Sequence, residues 1–126
     1  MRHVLVIEDQ WLFAQVVADI AICAGASSVA IAETEDEAVF QARAHMPWII
    51  LCDVDLRGGG RGPNAVGRIH REFGPVPAIF ITGGPEDPDA MRCAAAILTK
   101  PVSPNQLLAT FRSVADLIPP RGLGAD

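Results

Sequence analysis

Trp48-Ile49-Ile50-Leu51-Cys52-Asp53-Val54-Asp55 is an unbroken apolar run that ends in a carboxylate. A short, β-branched run without polar alternation reads as a strand covered on both faces, as strands of a parallel sheet are. Similar runs lie on either side of it, Val4–Ile7 and Val29–Ala32 before, Ala78–Ile81 and Ala96–Leu98 after. Segments of helical period separate them, so the chain predicts five strands alternating with five helices. A (βα)5 order gives an α/β fold with a doubly wound parallel sheet and right-handed crossovers.

The helices carry their own boundaries. Thr34-Glu35-Asp36-Glu37 is a capping-box pattern that opens a helix running to about Ala44. Ser103-Pro104-Asn105-Gln106 repeats the device and places Leu107, Leu108, Phe111, Val114, Ala115 and Ile118 on one side of the last helix. Gly25 and Gly74 stand where the first and third helices should stop, placed for a left-handed cap. In the first helix Leu12, Val16 and Ile20 form the expected buried line, with Phe13 and Val17 alongside, while Trp11 and Ile22 fall toward the polar side. Large apolar residues there predict either a docking face for a kinase helix or a Trp folded over the sheet edge. Gly58-Gly59-Gly60-Arg61-Gly62 lacks the Gly-Lys-Ser/Thr of a phosphate loop and reads as a flexible loop, with the next helix opening at Pro63-Asn64 and Arg57 and Arg61 as solvated loop arginines. Residues 1–118 are thus expected to form one domain and 119–126 a short mobile tail, with no chain left for an output domain.

Bulk properties narrow the function. The 126 residues are 50% hydrophobic and 20% charged, a globular composition. A net charge of −5 offers a nucleic-acid backbone no long-range attraction. Cys23, Cys52 and Cys93 share no metal-ligand spacing and read as buried free thiols in a reducing compartment. His3, His45 and His70 share no ligand spacing and take no role. No signal-peptide core or membrane-spanning run occurs, so a cytoplasmic protein is expected.

In open α/β sheets function collects at the strand ends. Here the first strand ends in Glu8-Asp9, the third in Asp53 with Asp55 two residues on, the fourth in Thr82-Gly83-Gly84 and the fifth in Lys100-Pro101. Carboxylates gathered at one edge repel and raise one another's pKa unless a cation joins them, and hard oxygen donors suit Mg²⁺. A carboxylate is also a competent nucleophile toward phosphorus, with Lys100, the Thr82 hydroxyl and backbone N–H groups available to the developing charge.

The motifs Val-Ile-Glu8-Asp9, Ile-Leu-Cys-Asp53-Val-Asp-Leu, Ile-Thr82-Gly and Leu-Thr-Lys100-Pro101 together resemble a response-regulator receiver over about Arg2 to Leu117. The resemblance implies the flavodoxin-like strand order 2-1-3-4-5 and a single-domain response regulator of a two-component phosphorelay, not an enzyme in the ordinary sense. It implies Asp53 as phospho-acceptor, Asp9 as direct and Glu8 as outer-sphere Mg²⁺ ligand, and the Asp55 carbonyl on the metal. Thr82 and Lys100 would contact the phosphoryl group, and the Lys100–Pro101 peptide would be cis. The implied partners are a sensor histidine kinase or histidine phosphotransfer protein and a downstream protein target, with no nucleic acid and no membrane.

Several residues depart from the family pattern. Ile97 stands where the switch aromatic is usual, and Cys93-Ala94 where Gly-Ala is. The stretch from Thr82 to Lys100 is about a helical turn short, and Pro85 and Pro88 predict a shortened fourth helix. Phe80-Ile81-Thr82-Gly83 resembles a receiver subgroup with a Phe-x-Thr-Gly signature, nicknamed FAT GUY and often paired with HWE/HisKA-2 kinases, although Gly84 replaces its tyrosine. Asp53-Val54-Asp55 also resembles the Asp-x-Asp of haloacid-dehalogenase-type phosphatases. Those enzymes need acids after the lysine, where this chain has only Asp116 before its tail.

Overall fold

The computed structural model describes residues 2–56, 58, 60–84 and 86–119. Arg57, Gly59, Pro85 and the expected tail from Pro120 lie outside the described residues. The elements run β1 (His3–Ile7), α1 (Trp11–Cys23), β2 (Ser28–Ala32), α2 (Glu35–Ala44), β3 (Ile49–Asp53), β4 (Asp55–Leu56), β5 (Gly60–Arg61), α3 (Gly62–Phe73), β6 (Ala78–Thr82), α4 (Pro88–Cys93), β7 (Ala96–Thr99) and α5 (Pro104–Asp116). The five long strands form one parallel sheet in the order β2-β1-β3-β6-β7. This is the expected 2-1-3-4-5, since β4 and β5 are a separate two-stranded antiparallel ribbon.

Both sheet faces are covered, which is why the strands read as continuous apolar runs. Successive strand residues alternate between faces. Leu5, Ile7, Ile50, Cys52 and Phe80 pack with Val39 of α2 and Val66 and Ile69 of α3. Val4, Val6, Ile49, Leu51, Ile79 and Ile81 pack with Val17 of α1 and Phe111 of α5. Asp53, last residue of β3, keeps the parity of Ile49 and Leu51 and therefore belongs to the α1–α5 side.

The two N-terminal caps form as the sequence implies, whereas the left-handed cap expected at Gly74 does not. Thr34 Oγ1 accepts from Glu37 N (3.1 Å), Glu37 Oε1 accepts from Glu33 N (2.8 Å), and Ser103 Oγ accepts from Gln106 N (3.1 Å). Gly25 and Gly74 both have positive φ (112° and 95°), although at Gly74 the ψ of −178° is extended rather than left-handed helical. α4 is a single helical segment of six residues, shortened as expected. Among the described residues no helix is long and apolar enough to cross a membrane.

Four local expectations are corrected. α1 buries Ala14, Val17, Ala18 and Ala21, while Leu12 (71%) and Val16 (44%) are exposed beside Trp11 (68%), and Ile20 is half-buried. Every position of this helix except Gln15 and Asp19 is apolar, so periodicity could not choose a face. Close packing on the sheet chose the small residues. On α5, Leu107, Phe111 and Val114 are buried but Leu108 only half so, outside the core cluster. Cys23 is exposed and Cys93 intermediate, leaving Cys52 alone buried. The glycine-rich stretch is not wholly a loop: Gly60–Arg61 pairs with Asp55–Leu56, and α3 starts at Gly62, one residue before the expected Pro63.

Candidate functional site

The parallel register brings four strand ends to one edge. Ile7 lies beside Cys52, Asp53 beside Ile81, and Thr82 beside Thr99, so the next residues along, Glu8-Asp9 and Lys100, arrive where Asp53 and Thr82 already stand. Glu8 N donates to Ala32 O (2.9 Å), and Lys100 N donates to Thr82 O (2.7 Å), which ties the strand extensions together. The Lys100–Pro101 peptide is cis.

A carboxylate oxygen from each of Glu8, Asp9 and Asp53 lies within 4.8 Å of the others. Glu8 and Asp53 are buried. Glu8 Oε2 accepts from Gln10 N (3.0 Å). Asp53 has both oxygens engaged: Oδ1 accepts from Asp55 N and Oδ2 from Lys100 Nζ, each at 3.4 Å. Burial, reinforced by the Asp53 charge, raises Glu8 from an ordinary 4.5 to about 7, against the opposing pull of the Gln10 N–H and Lys100. Burial likewise raises Asp53, with Lys100 and the Asp55 N–H opposing. A pocket of acids short of positive charge, lined by hard oxygens, is the donor set for a hard divalent cation. Asp55 is arranged differently from the other three. Its side chain is exposed and outside the trio, and its main chain faces Asp53.

Thr82 is buried, and its Oγ1 accepts from Gly84 N (3.2 Å). Beside it lies a cavity of about 250 Å³ bordered by Val54, Ala90, Met91, Ile97 and Thr99. Ile97, at the position where an aromatic is usual, leaves this space open and is itself exposed.

Three contributors were not assigned from sequence. Gly62 gives α3 its close approach to Asp53, because a Cβ there would overlap the Asp53 carbonyl. In sequence a glycine needed for close approach is indistinguishable from one that lends a loop flexibility. Arg61 is no solvated arginine: its guanidinium pairs with Asp87 and, at 3.2 Å, with Asp89, while its N–H donates to Glu35 Oε2 (2.9 Å). Phe13 stands over the ammonium of Lys100, Nζ lying 5.3 Å from the ring centroid.

Comparison with known proteins agrees with this geometry. The family model of the response regulator receiver domain matches residues 4–112. The Phyllosphere-induced regulator PhyR of Methylorubrum extorquens is 36% identical over 85 residues, covering 67% of this chain and 32% of that protein. Among solved structures, PhyR of Brucella abortus superposes with a TM-score of 0.78 at 29% identity, over 90% of this chain and 47% of that one. A CheY-like receiver domain protein of Methanospirillum hungatei gives a TM-score of 0.82 at 22% identity, over 92% and 94% of the two chains, which shows the shared fold. The chain spans between 32% and 55% of the length of the curated relatives it matches. With a matching model over nearly its whole length and the acidic strand-end site in place, the chain belongs to the response regulator receiver domain family.

Proposed function

We propose that Asp53 accepts a phosphoryl group from the phosphohistidine of a sensor histidine kinase or histidine phosphotransfer protein. The observation that carries this reading is the Asp53 carboxylate itself, engaged by Lys100 at one oxygen and the Asp55 N–H at the other, within a trio of acids. An Asp53 oxygen attacks phosphorus, the P–N bond to imidazole breaks, and the imidazole nitrogen leaves with the electron pair and takes up a proton. The product is an acyl phosphate. Lys100 neutralises a phosphoryl oxygen, and the Thr82 hydroxyl donates to another. Asp9, Asp53 and the Asp55 carbonyl would hold Mg²⁺, with Glu8 acting through water. Bound there, the cation offsets the charge of the acids and of the transferring group.

The donor docks on the outer face of α1, where Trp11, Leu12 and Val16 expose apolar surface on the helix that follows Asp9. The Phe80-Ile81-Thr82-Gly83 run favours a donor of the HWE/HisKA-2 group. Output passes to a protein target in the cytoplasm, since a net charge of −5 gives DNA no attraction. Trp11→Ala should slow transfer from the cognate kinase while leaving phosphorylation by a small donor unchanged.

Beryllofluoride, a mimic of aspartyl phosphate, tests the site. With Mg²⁺ it should shift the amide resonances of Asp53, Gly83, Gly84 and Lys100, and Asp53→Asn should abolish the shifts. Shifts that persist without Mg²⁺ or in the variant would refute the assignment.

A further inference from the structure

The Lys100 side chain reaches its place at the site with few restraints. Its backbone is fixed by the hydrogen bond to Thr82 O, and its stem passes Gly83, where an added Cβ would lie in ordinary contact 3.6 Å from Cδ. The ammonium, however, has only one hydrogen-bond partner among the described residues, Asp53 Oδ2 at 3.4 Å, beyond the usual N–H···O range, and the side chain is 33% exposed. A compact ammonium on a four-carbon stem would swing freely on such a tether. Two other groups face it: the Glu8 carboxylate, whose charge Lys100 favours through space, and the Phe13 ring, whose centroid lies 5.3 Å from Nζ, inside the distance at which a ring face attracts a cation. Phe13 is half-buried and packed on the α1–α5 core, so the ring is a fixed object and the lysine the mobile one.

We infer that Phe13 is a positioning residue for phosphoryl transfer, its ring holding the Lys100 ammonium between Asp53 and α1. The inference rests on Asp53 being the acceptor. Once Asp53 becomes an acyl phosphate, the carboxylate charge that tethers the ammonium passes to the phosphoryl oxygens, and the ammonium must move to one of them. The ring keeps it within reach through that change and, unlike the neighbouring Glu8 carboxylate, carries no charge that would draw the ammonium away from the phosphoryl group. The same helix presents Trp11 and Leu12 outward, so a donor docked on α1 presses on the element that carries Phe13.

Phe13→Leu keeps an apolar side chain and removes the ring; Phe13→Tyr keeps the ring. With acetyl phosphate and Mg²⁺, Phe13→Leu should take up phosphate roughly two- to fivefold more slowly and Phe13→Tyr at close to the parent rate. In NMR spectra the Lys100 Hε resonances should be ring-shifted upfield in the parent and Phe13→Tyr but not in Phe13→Leu, and they should stay upfield in the parent with beryllofluoride bound, as a ring that holds the ammonium through the transfer requires. A parent-like rate in Phe13→Leu, or equal slowing in both variants, overturns the role of Phe13. If the parent protein itself takes up no phosphate on Asp53, the acceptor reading falls and this role falls with it.

Discussion

Gly62, the first residue of α3, lies so close to Asp53 that a Cβ built on it would overlap the Asp53 carbonyl oxygen and stand 2.5 Å from Cys52 Sγ. Gly62 N also donates to Val54 O (2.8 Å), so the helix is pinned to the strand end. Gly62→Ala should therefore cost about 2–3 kcal/mol, because backbone, not a flexible side chain, meets the new methyl. Chemical denaturation measures the loss. Stability equal to the parent would contradict a close approach of α3 to the strand end.

Arg61 and Asp87 connect the ribbon to α4. Asp87 Oδ1 accepts from the N–H groups of Asp89 and Ala90, capping the helix, while its other oxygen pairs with Arg61. A six-residue helix depends on such a cap. Arg61→Ala should raise amide hydrogen exchange in α4, at Met91 and Arg92, and leave the sheet amides protected. Unchanged exchange in α4 would remove Arg61 from the account of that helix.

The acids set one pH dependence. Glu8 is raised from 4.5 to about 7, so between those values the folded protein holds more protons than the unfolded chain, and stability falls as pH rises through that window. A cation competes with those protons. Mg²⁺ affinity, followed by titration calorimetry, should therefore increase from pH 6 to 8, and Glu8→Gln should flatten the increase. An affinity independent of pH in the parent would contradict the coupling.

His3 sets the opposite dependence at the other end of the sheet. It is buried, stacks on His45 with centroids 3.7 Å apart, and donates to or accepts from Ser28 Oγ through Nδ1 (2.7 Å), while Nε2 has no partner among the described residues. Burial, with His45 adding, lowers its pKa below 6.5. The unfolded chain then binds more protons below 6.5, so stability is lost as pH falls through that value. His3→Phe, which retains an aromatic stack, should flatten melting-temperature profiles between pH 7 and 5.5. A variant as acid-sensitive as the parent would place the sensitivity elsewhere.

The strand ends were legible because chemistry there is punctuated: Glu8-Asp9, Asp53, Thr82 and Lys100 each follow an apolar run, and the register of a parallel sheet leaves them one edge to share. Gly62 was not legible, since a glycine needed for close approach looks the same in sequence as one needed for a turn. The α1 face was misread for a physical reason. In a helix with only Gln15 and Asp19 polar, the choice belongs to packing distance against the sheet, and the alanines won. Phe13 is illegible for the same reason: periodicity sets it beside the expected buried line, whereas in the structure its ring borders the site.

Phosphorylation of Asp53 is the claim on which the rest depends, and intact-protein mass spectrometry after incubation with acetyl phosphate and Mg²⁺ tests it most directly. The expected result is a single phosphoryl adduct that requires Mg²⁺ and disappears in Asp53→Asn. No adduct, an adduct that survives Asp53→Asn, or turnover of phosphate esters by the Asp53→Asn variant would contradict it.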